Sequence, residues 1–310
     1  MRKDVDRIDR EDLTTLFPTL PDRANKGMMG RVLCVCGSYD PHGVGMCGAA
    51  YFAAMAAYRC GAGIVEIFTP EENYPSLAAI VPEAVFSLYT CDDGADAVID
   101  RLKRAVALAD AVVIGCGLGR SELALGMVGA VLRHSEVPTV IDADALNIIA
   151  EHGELMDEWS AEKRSRAVIT PHPGEMSRLT GKTVSEILAD TVNTASEFSA
   201  RTGVVCVLKD HKTVITDGHT VYVNDSGNAG MASAGMGDVL SGVLGALLAR
   251  DTVSESADMS RIGENQTLLR SATGVYLHGC AGDVAAQNVG QYSLVASDVL
   301  EALCEVIPSK

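Results

Sequence analysis

Asp238 stands at the end of a glycine-rich run, Asn228-Ala-Gly-Met-Ala-Ser-Ala-Gly-Met-Gly-Asp238, and at the start of an apolar helix pattern. Val239, Leu240, Val243, Leu244, Leu247 and Leu248 recur at helical spacing and form one buried stripe. A glycine-rich turn feeding a helix start presents unpaired backbone N–H groups and the positive end of a helix dipole, a combination that attracts phosphate. A carboxylate would repel a phosphate that it touched. Asp238 therefore makes better sense as a base aimed at a hydroxyl or proton beside the phosphate. The same spacing also fits a glycine cap loop followed by an acidic residue that favours the first helical turn. Spacing alone leaves both readings standing.

Other polar and glycine-rich clusters follow short apolar runs. Gly37-Ser38-Tyr39-Asp40, with Gly43, Gly45 and Gly48-Ala49-Ala50, follows Arg31–Cys36, and Cys116-Gly117-Leu118-Gly119 follows Ala111–Gly115. Asp142, Asp144 and Asn147 follow Thr139–Ile141, and Pro171-His172-Pro173-Gly174-Glu175 follows Val168–Thr170. Lys209, Asp210, His211 and Lys212 follow Val204–Leu208. Open α/β sheets bind ligands at the carboxyl ends of their strands, so five such ends suggest a large ligand crossing the sheet edge. Lys209 is a candidate phosphate partner or an ordinary exposed lysine. His172 reads as a polar ligand contact or a turn residue, and Asp142 and Asp144 as caps of the helix near Ala145 rather than cation ligands. Gly115-x-Gly117-x-Gly119 misplaces the third glycine of a dinucleotide fingerprint, and no Walker-type P-loop is present.

The elements that must hold these residues alternate. Strand-like runs at 31–36, 64–69, 84–88, 111–115, 139–142 and 168–170 are separated by helical patterns at 46–60, 95–108, 121–134 and 146–150, with a helical pair over 175–202. This rhythm predicts a mostly parallel sheet covered on both faces. Asp217-Gly218 between two β-branched runs predicts a hairpin and antiparallel strands near one edge. Helical patterns over 238–250, 264–288 and 296–306 finish the chain. Residues 1–25 read as a lead-in arm and 26–310 as a single domain.

Composition narrows the partners. At 47% hydrophobic and 21% charged, the chain is globular with a substantial core. A net charge of -16 argues against a nucleic-acid surface or docking on anionic membranes, so any phosphate must be held by local devices. The nine cysteines form no CxxC pair and read as small buried hydrophobes in a reducing, cytoplasmic setting. No apolar run is long enough to span a bilayer, and no signal peptide is evident.

Taken in order, several motifs resemble the ADP/ATP-dependent NAD(P)H-hydrate dehydratases of the ribokinase-like superfamily. They are Lys26-Gly-x-x-Gly30-Arg-Val, Arg59-x-Gly-Ala-Gly63, Gly115-x-Gly-Leu-Gly119, Ile141-Asp-Ala-Asp-Ala-Leu-Asn147, Thr170-Pro-His-Pro-Gly-Glu-Met-Ser-Arg-Leu179, Gly235-Met-Gly-Asp-Val-Leu-Ser-Gly242 and His278-Gly-x-Ala-Gly-Asp283. The resemblance implies a three-layer α/β sandwich and repair of hydrated nicotinamide cofactors. (6S)-NADHX or (6S)-NADPHX would be returned to NADH or NADPH by phosphorylating the C6 hydroxyl and eliminating phosphate, with Asp238 as base, Mg²⁺ as counter-charge and ADP, or else ATP, as donor. It implies a hydrate site at Ala49 or Ala50, Gly117, Gly119, His172, Pro173, Gly174, Glu175, Arg178 and Asp238. The implied nucleotide site comprises Lys209, Asp210, His211, Lys212, Thr213, Asn228, Ala229, Gly230, Ala234, Gly235, Met236 and Gly237. It names no metal ligands.

Relatives form tetramers. Many carry an N-terminal epimerase domain that 25 residues cannot hold, which implies action on the S form alone. Met236 replaces the family's usual threonine, Cys116 its proline and Cys36 its glycine; the two cysteines read as packing changes. The rival readings are a superfamily kinase acting on a small alcohol, which would stop at a stable phosphoester, and a nucleotide sensor that has lost turnover.

Overall fold

Val32, Cys34 and Cys36 point to one side of their strand, and Leu33 and Val35 to the other; all five are buried. Strands buried on both faces in this way require helices above and below. A computed structural model describes residues 5–17, 19–40, 43–90, 92–253 and 265–308. Residues 1–4 of the lead-in and the first residue of the 264–288 pattern lie outside the described residues.

The strands are β1 (Val5–Asp6), β2 (Arg31–Val35), β3 (Ile64–Pro70), β4 (Val85–Tyr89), β5 (Ala111–Ile114), β6 (Thr139–Ile141), β7 (Ala167–Ile169), β8 (Val205–Leu208), β9 (Thr213–Thr216) and β10 (Val221–Asn224). They form one sheet in the order β1-β10-β9-β8-β7-β6-β5-β2-β3-β4. Every pairing is parallel except the two made by β9, which runs against β8 and β10 and so completes the expected hairpin. The order reverses direction between β2 and β5, the crevice where open α/β sheets take ligands.

The helices are α1 (Arg10–Leu16), α2 (Cys47–Arg59), α3 (Tyr74–Ile80), α4 (Ala95–Val106), α5 (Glu122–His134), α6 (Ala143–Glu151), α7 (Glu154–Glu158), α8 (Ala161–Ser165), α9 (Pro173–Thr180), α10 (Val184–Ala189), α11 (Thr191–Thr202), α12 (Met236–Val253), α13 (Gln266–Val289) and α14 (Ala296–Val306). α2, α12, α13 and α14 contribute to the core on one face of the sheet, with Val32, Cys34 and Val113. α4, α5, α6 and α11 contribute to the other, with Leu33, Val35 and Val112.

Two local expectations change. The helical pair over 175–202 is three helices, because Gly181 adopts a left-handed conformation (φ 73°) after α9 and Asp190 separates α10 from α11. The described part of the lead-in joins the sheet and core. β1 pairs with β10, and Leu13 and Leu16 of α1 are buried in the core.

Candidate active site

α12 begins at Met236, two residues earlier than the apolar pattern predicted, so Asp238 projects from its first turn. The Val239 N–H reaches back to the Gly235 carbonyl at 3.0 Å, and the N–H groups before it in the turn open the helix at the positive end of its dipole. Gly235 enters the turn at φ 88°, and a Cβ there would meet Phe52 and Ala296 at 2.8 Å, so only glycine brings the chain in. Burial, reinforced by the Asp142 charge, pushes the Asp238 carboxyl up to about 6, against a hydrogen bond from Cys116 and the Lys209 charge.

Asp142 overturns the capping expectation. It stands at the N-cap of α6, yet its side chain caps nothing. Its carboxylate accepts instead from Lys209 Nζ at 2.8 Å and from the Ser241 hydroxyl at 3.0 Å. The long-range partners draw it inward, and the next residue, Ala143, takes a left-handed φ of 48°. Lys209 is thus no ordinary exposed lysine. Burial works against its charge, but the carboxylates of Asp142 and Glu175 outweigh it and leave its pKa raised. Asp144 accepts the Gly119 N–H at 2.8 Å.

Cys36 and Cys116, read as packing changes, hydrogen-bond each other. Cys116 Sγ and carboxylate oxygens of Asp142 and Asp238 lie within 4.8 Å of one another, the one such group among the described residues that could hold a metal. Despite the hydrogen bond from Cys36, burial and the two carboxylates push the Cys116 thiol up to about 12, so it stays protonated at neutral pH. The hard donors left are the Asp142 and Asp238 oxygens, a set that suits a cation such as Mg²⁺ shared with phosphate.

Two cavities flank the loop that leads into α12. One, of about 540 Å³, is lined by Ala49, Gly117, His172, Glu175, Arg178 and Asp238, together with Met46, Gly48, Phe52, Ala143, Asp144, Asn147, Ala234 and Gly235. The other, of about 310 Å³, is lined by Lys209, Asp210, His211, Thr213, Asn228, Ala229, Met236 and Gly237, together with Leu240, Val275, His278 and Gly279 among others. The chain between 234 and 238 is therefore their common wall.

Several expected residues fall elsewhere. Ala50 is turned into the core, one residue around the helix from Ala49. Gly119 acts through its N–H on Asp144, while Pro173 and Gly174 build the first turn of α9. Ala234 and Gly235 line the larger cavity rather than the nucleotide side. Lys212 is exposed outside both linings, and Gly230 packs against Gln291.

His172 caps α9. Its Nδ1 accepts from the Gly174 and Glu175 N–H groups at 2.9 and 3.3 Å, and its own N–H donates to Glu175 Oε2 at 2.8 Å. Because backbone N–H groups only donate, Nδ1 holds the lone pair and the neutral ring carries its proton on Nε2. Burial, Lys209 and Arg178 lower its pKa, which keeps the ring neutral. Burial pushes Glu175 up to about 7. Arg178 Nε donates to Asn147 Oδ1 at 2.7 Å. Sequence reasoning missed His278 as a lining residue. Its Nε2 is buried without a partner, and burial pushes its pKa down to about 4. The His278-Gly-x-Ala-Gly-Asp283 motif was the available signal.

Known proteins resemble this chain in sequence and fold. An ADP-dependent (S)-NAD(P)H-hydrate dehydratase of Neisseria meningitidis is 35% identical over 292 residues, covering 93% of this chain and 88% of its own. A bifunctional NAD(P)H-hydrate repair enzyme, Nnr, of Coxiella burnetii is 37% identical over 292 residues, covering 93% of this chain and 53% of its own. This chain spans about half the length of such bifunctional relatives. The Bacillus subtilis ADP/ATP-dependent NAD(P)H-hydrate dehydratase, co-crystallised with ATP and Mg²⁺, is 27% identical and superposes with a TM-score of 0.75, covering 98% of each chain. The architecture is the ribokinase-like one expected from the sequence. The NAD(P)H-hydrate dehydratase family profile matches residues 32–305, and the chain belongs to that family.

Proposed function

We propose that this protein dehydrates (6S)-NADHX and (6S)-NADPHX to NADH and NADPH, driven by hydrolysis of ADP or ATP. The observation that carries the reading is the pair of cavities with one wall: Asp238 opens on one side, and Lys209 with the amides leading into α12 on the other. The hydrate takes the larger cavity and the nucleotide the smaller. Asp238 removes the C6 hydroxyl proton as its oxygen attacks the terminal phosphate, and the first-turn N–H groups hold the developing charge. Hydroxide leaves poorly and a phosphate ester leaves well, so phosphorylation followed by elimination splits one hard step into two easier ones. When bound, Mg²⁺ supplies counter-charge to the transferring phosphoryl group, with Asp142 and Asp238 as its protein oxygens.

The reading includes one catalytic unit over 26–310, a cytoplasmic setting and a homotetramer. The eight described cysteines are all free, in keeping with a reducing compartment. Among the described residues no helix is long and apolar enough to cross a membrane. Exposed Tyr74, Ile80 and Val85 near edge strand β4 provide apolar surface for subunit contact.

The test is purified protein with Mg²⁺, mixed hydrate epimers and ADP or ATP in parallel, followed by the near-ultraviolet absorbance of the reduced nicotinamide. Growth of that band identifies the dehydratase and its donor. Nucleotide consumption with a small alcohol and no such growth would transfer the case to a kinase. The pH dependence follows from Asp238, whose carboxyl is pushed up to about 6 and works only when ionised. kcat/KM therefore rises through an acidic limb near that pH. Asp142→Asn removes a repelling charge, so the limb should move down; a limb that stays put or moves up in the rate profile contradicts this account.

A further inference from the structure

Restoring the nicotinamide double bond removes the oxygen from C6 and a proton from C5. Asp238 accounts only for the hydroxyl proton. It is protonated once the phosphoryl group has moved, so the C5 proton needs a second acceptor. Building on the dehydratase reading, we propose that Glu175 is that acceptor.

Glu175 lies in the first turn of α9 and lines the same cavity as Asp238. Its side chain keeps only 6% of its surface exposed. Lys209 and Arg178 act on it only from a distance, and no Lys or Arg among the described residues pairs with it directly: Lys209 bonds Asp142 at 2.8 Å and Arg178 bonds Asn147. Oxygen Oε2 is held by the His172 N–H at 2.8 Å. Oxygen Oε1 lies 3.5 Å from His172 Nε2, too far for a strong hydrogen bond, and is left to receive a proton. The neighbouring imidazole cannot compete for that proton, because its lone-pair nitrogen is occupied by two backbone donors. Burial also pushes the carboxyl up to about 7, near the value a base needs for proton abstraction at neutral pH.

The step balances. The nitrogen lone pair of the ring expels the C6–O pair onto phosphate, which takes the proton that Asp238 holds. The C5–H pair then forms the C5=C6 bond as the C5 proton passes to Glu175 Oε1. Neither oxidant nor reductant is needed. A capping role alone would also explain a glutamate at this place in the sequence. The two roles separate in Glu175→Gln, whose amide oxygen still accepts the His172 N–H but takes no proton.

The experiment compares wild type, Glu175→Gln and Glu175→Asp in quenched single turnovers with Mg²⁺, ADP or ATP, and the S hydrate. Phosphoester is read by phosphorus NMR, NADH by absorbance, and folding by thermal melting. Glu175→Gln should slow NADH formation by about 10²–10⁴-fold and accumulate phosphorylated hydrate at close to the wild-type rate. Glu175→Asp, which keeps a carboxylate, should recover NADH formation at least in part. NADH formation by Glu175→Gln at close to the wild-type rate overturns the proposal. So does equal loss of phosphoester and NADH in a variant that melts like wild type, or a Glu175→Asp variant no better than Glu175→Gln. A wild-type protein that makes no NADH with either nucleotide fails the dehydratase reading itself, a separate result.

Discussion

Asp238→Asn should reduce NADH formation by about 10³–10⁴-fold, the upper range for loss of a general base. Asparagine matches aspartate in size, so the first turn of α12 and its free N–H groups remain, but the amide accepts no proton. Nucleotide binding should survive, because Lys209 and Met236–Gly237 line the other cavity. In the absence of Mg²⁺ it should even tighten slightly, since a carboxylate beside the phosphate path has been neutralised. Unlike Glu175→Gln, this variant should form no phosphoester, which places it one step earlier. Titration calorimetry with ADP and ATP, alongside the absorbance assay, checks both halves. More than a tenth of wild-type turnover would remove Asp238 from the role of base.

Gly242→Val should destabilise the fold by about 3 kcal/mol, the upper end for overpacking a core. Gly242 lies on α12 where it crosses α2, and a Cβ there would sit 2.1 Å from the Ala53 carbonyl oxygen and 2.8 Å from the Ala56 Cβ. The first of these contacts is backbone, so no rotamer relieves it and the two helices must part. The melting temperature should fall by roughly 6 °C or more, at about 2–4 °C per kcal/mol. Activity should fall further than stability alone requires, because Asp238 lies one turn before Gly242 on the same helix face. Differential scanning calorimetry decides the matter: a melting point within about a degree of wild type would mean that the helices give way easily.

Local pattern made the sheet and its hairpin readable, because apolar runs of strand length, Asp-Gly and the heptad-like stripe after Asp238 act over a few residues. What stayed hidden depends on partners far along the chain. Asp142 looks like a cap in its own neighbourhood, and only folding brings it to Lys209, 67 residues later, and to Ser241, 99 residues later. Ala49 and Ala50 differ by about 100° of helix rotation, which motif matching does not resolve but which decides between cavity and core. That part of the lead-in joins the sheet was hidden for a similar reason, since the strand that pairs with it is β10. His278 was visible in its motif, but its role as a cavity wall depends on where α13 lies against the loop before α12.

The pairing of Val5 with Val221 also has a consequence for how the molecule is made. Once made, β1 waits for a partner 216 residues later, roughly 10–40 s at ordinary elongation rates. Over the same interval the alanine face of α2 has no covering, because α12 is synthesised still later. The nascent chain therefore carries an unpaired edge and an uncovered apolar face until those partners are made, and contacts this distant make for slow folding. The segment bearing Asp238 is translated after all ten described strands, so the dividing wall closes only on a sheet already in hand.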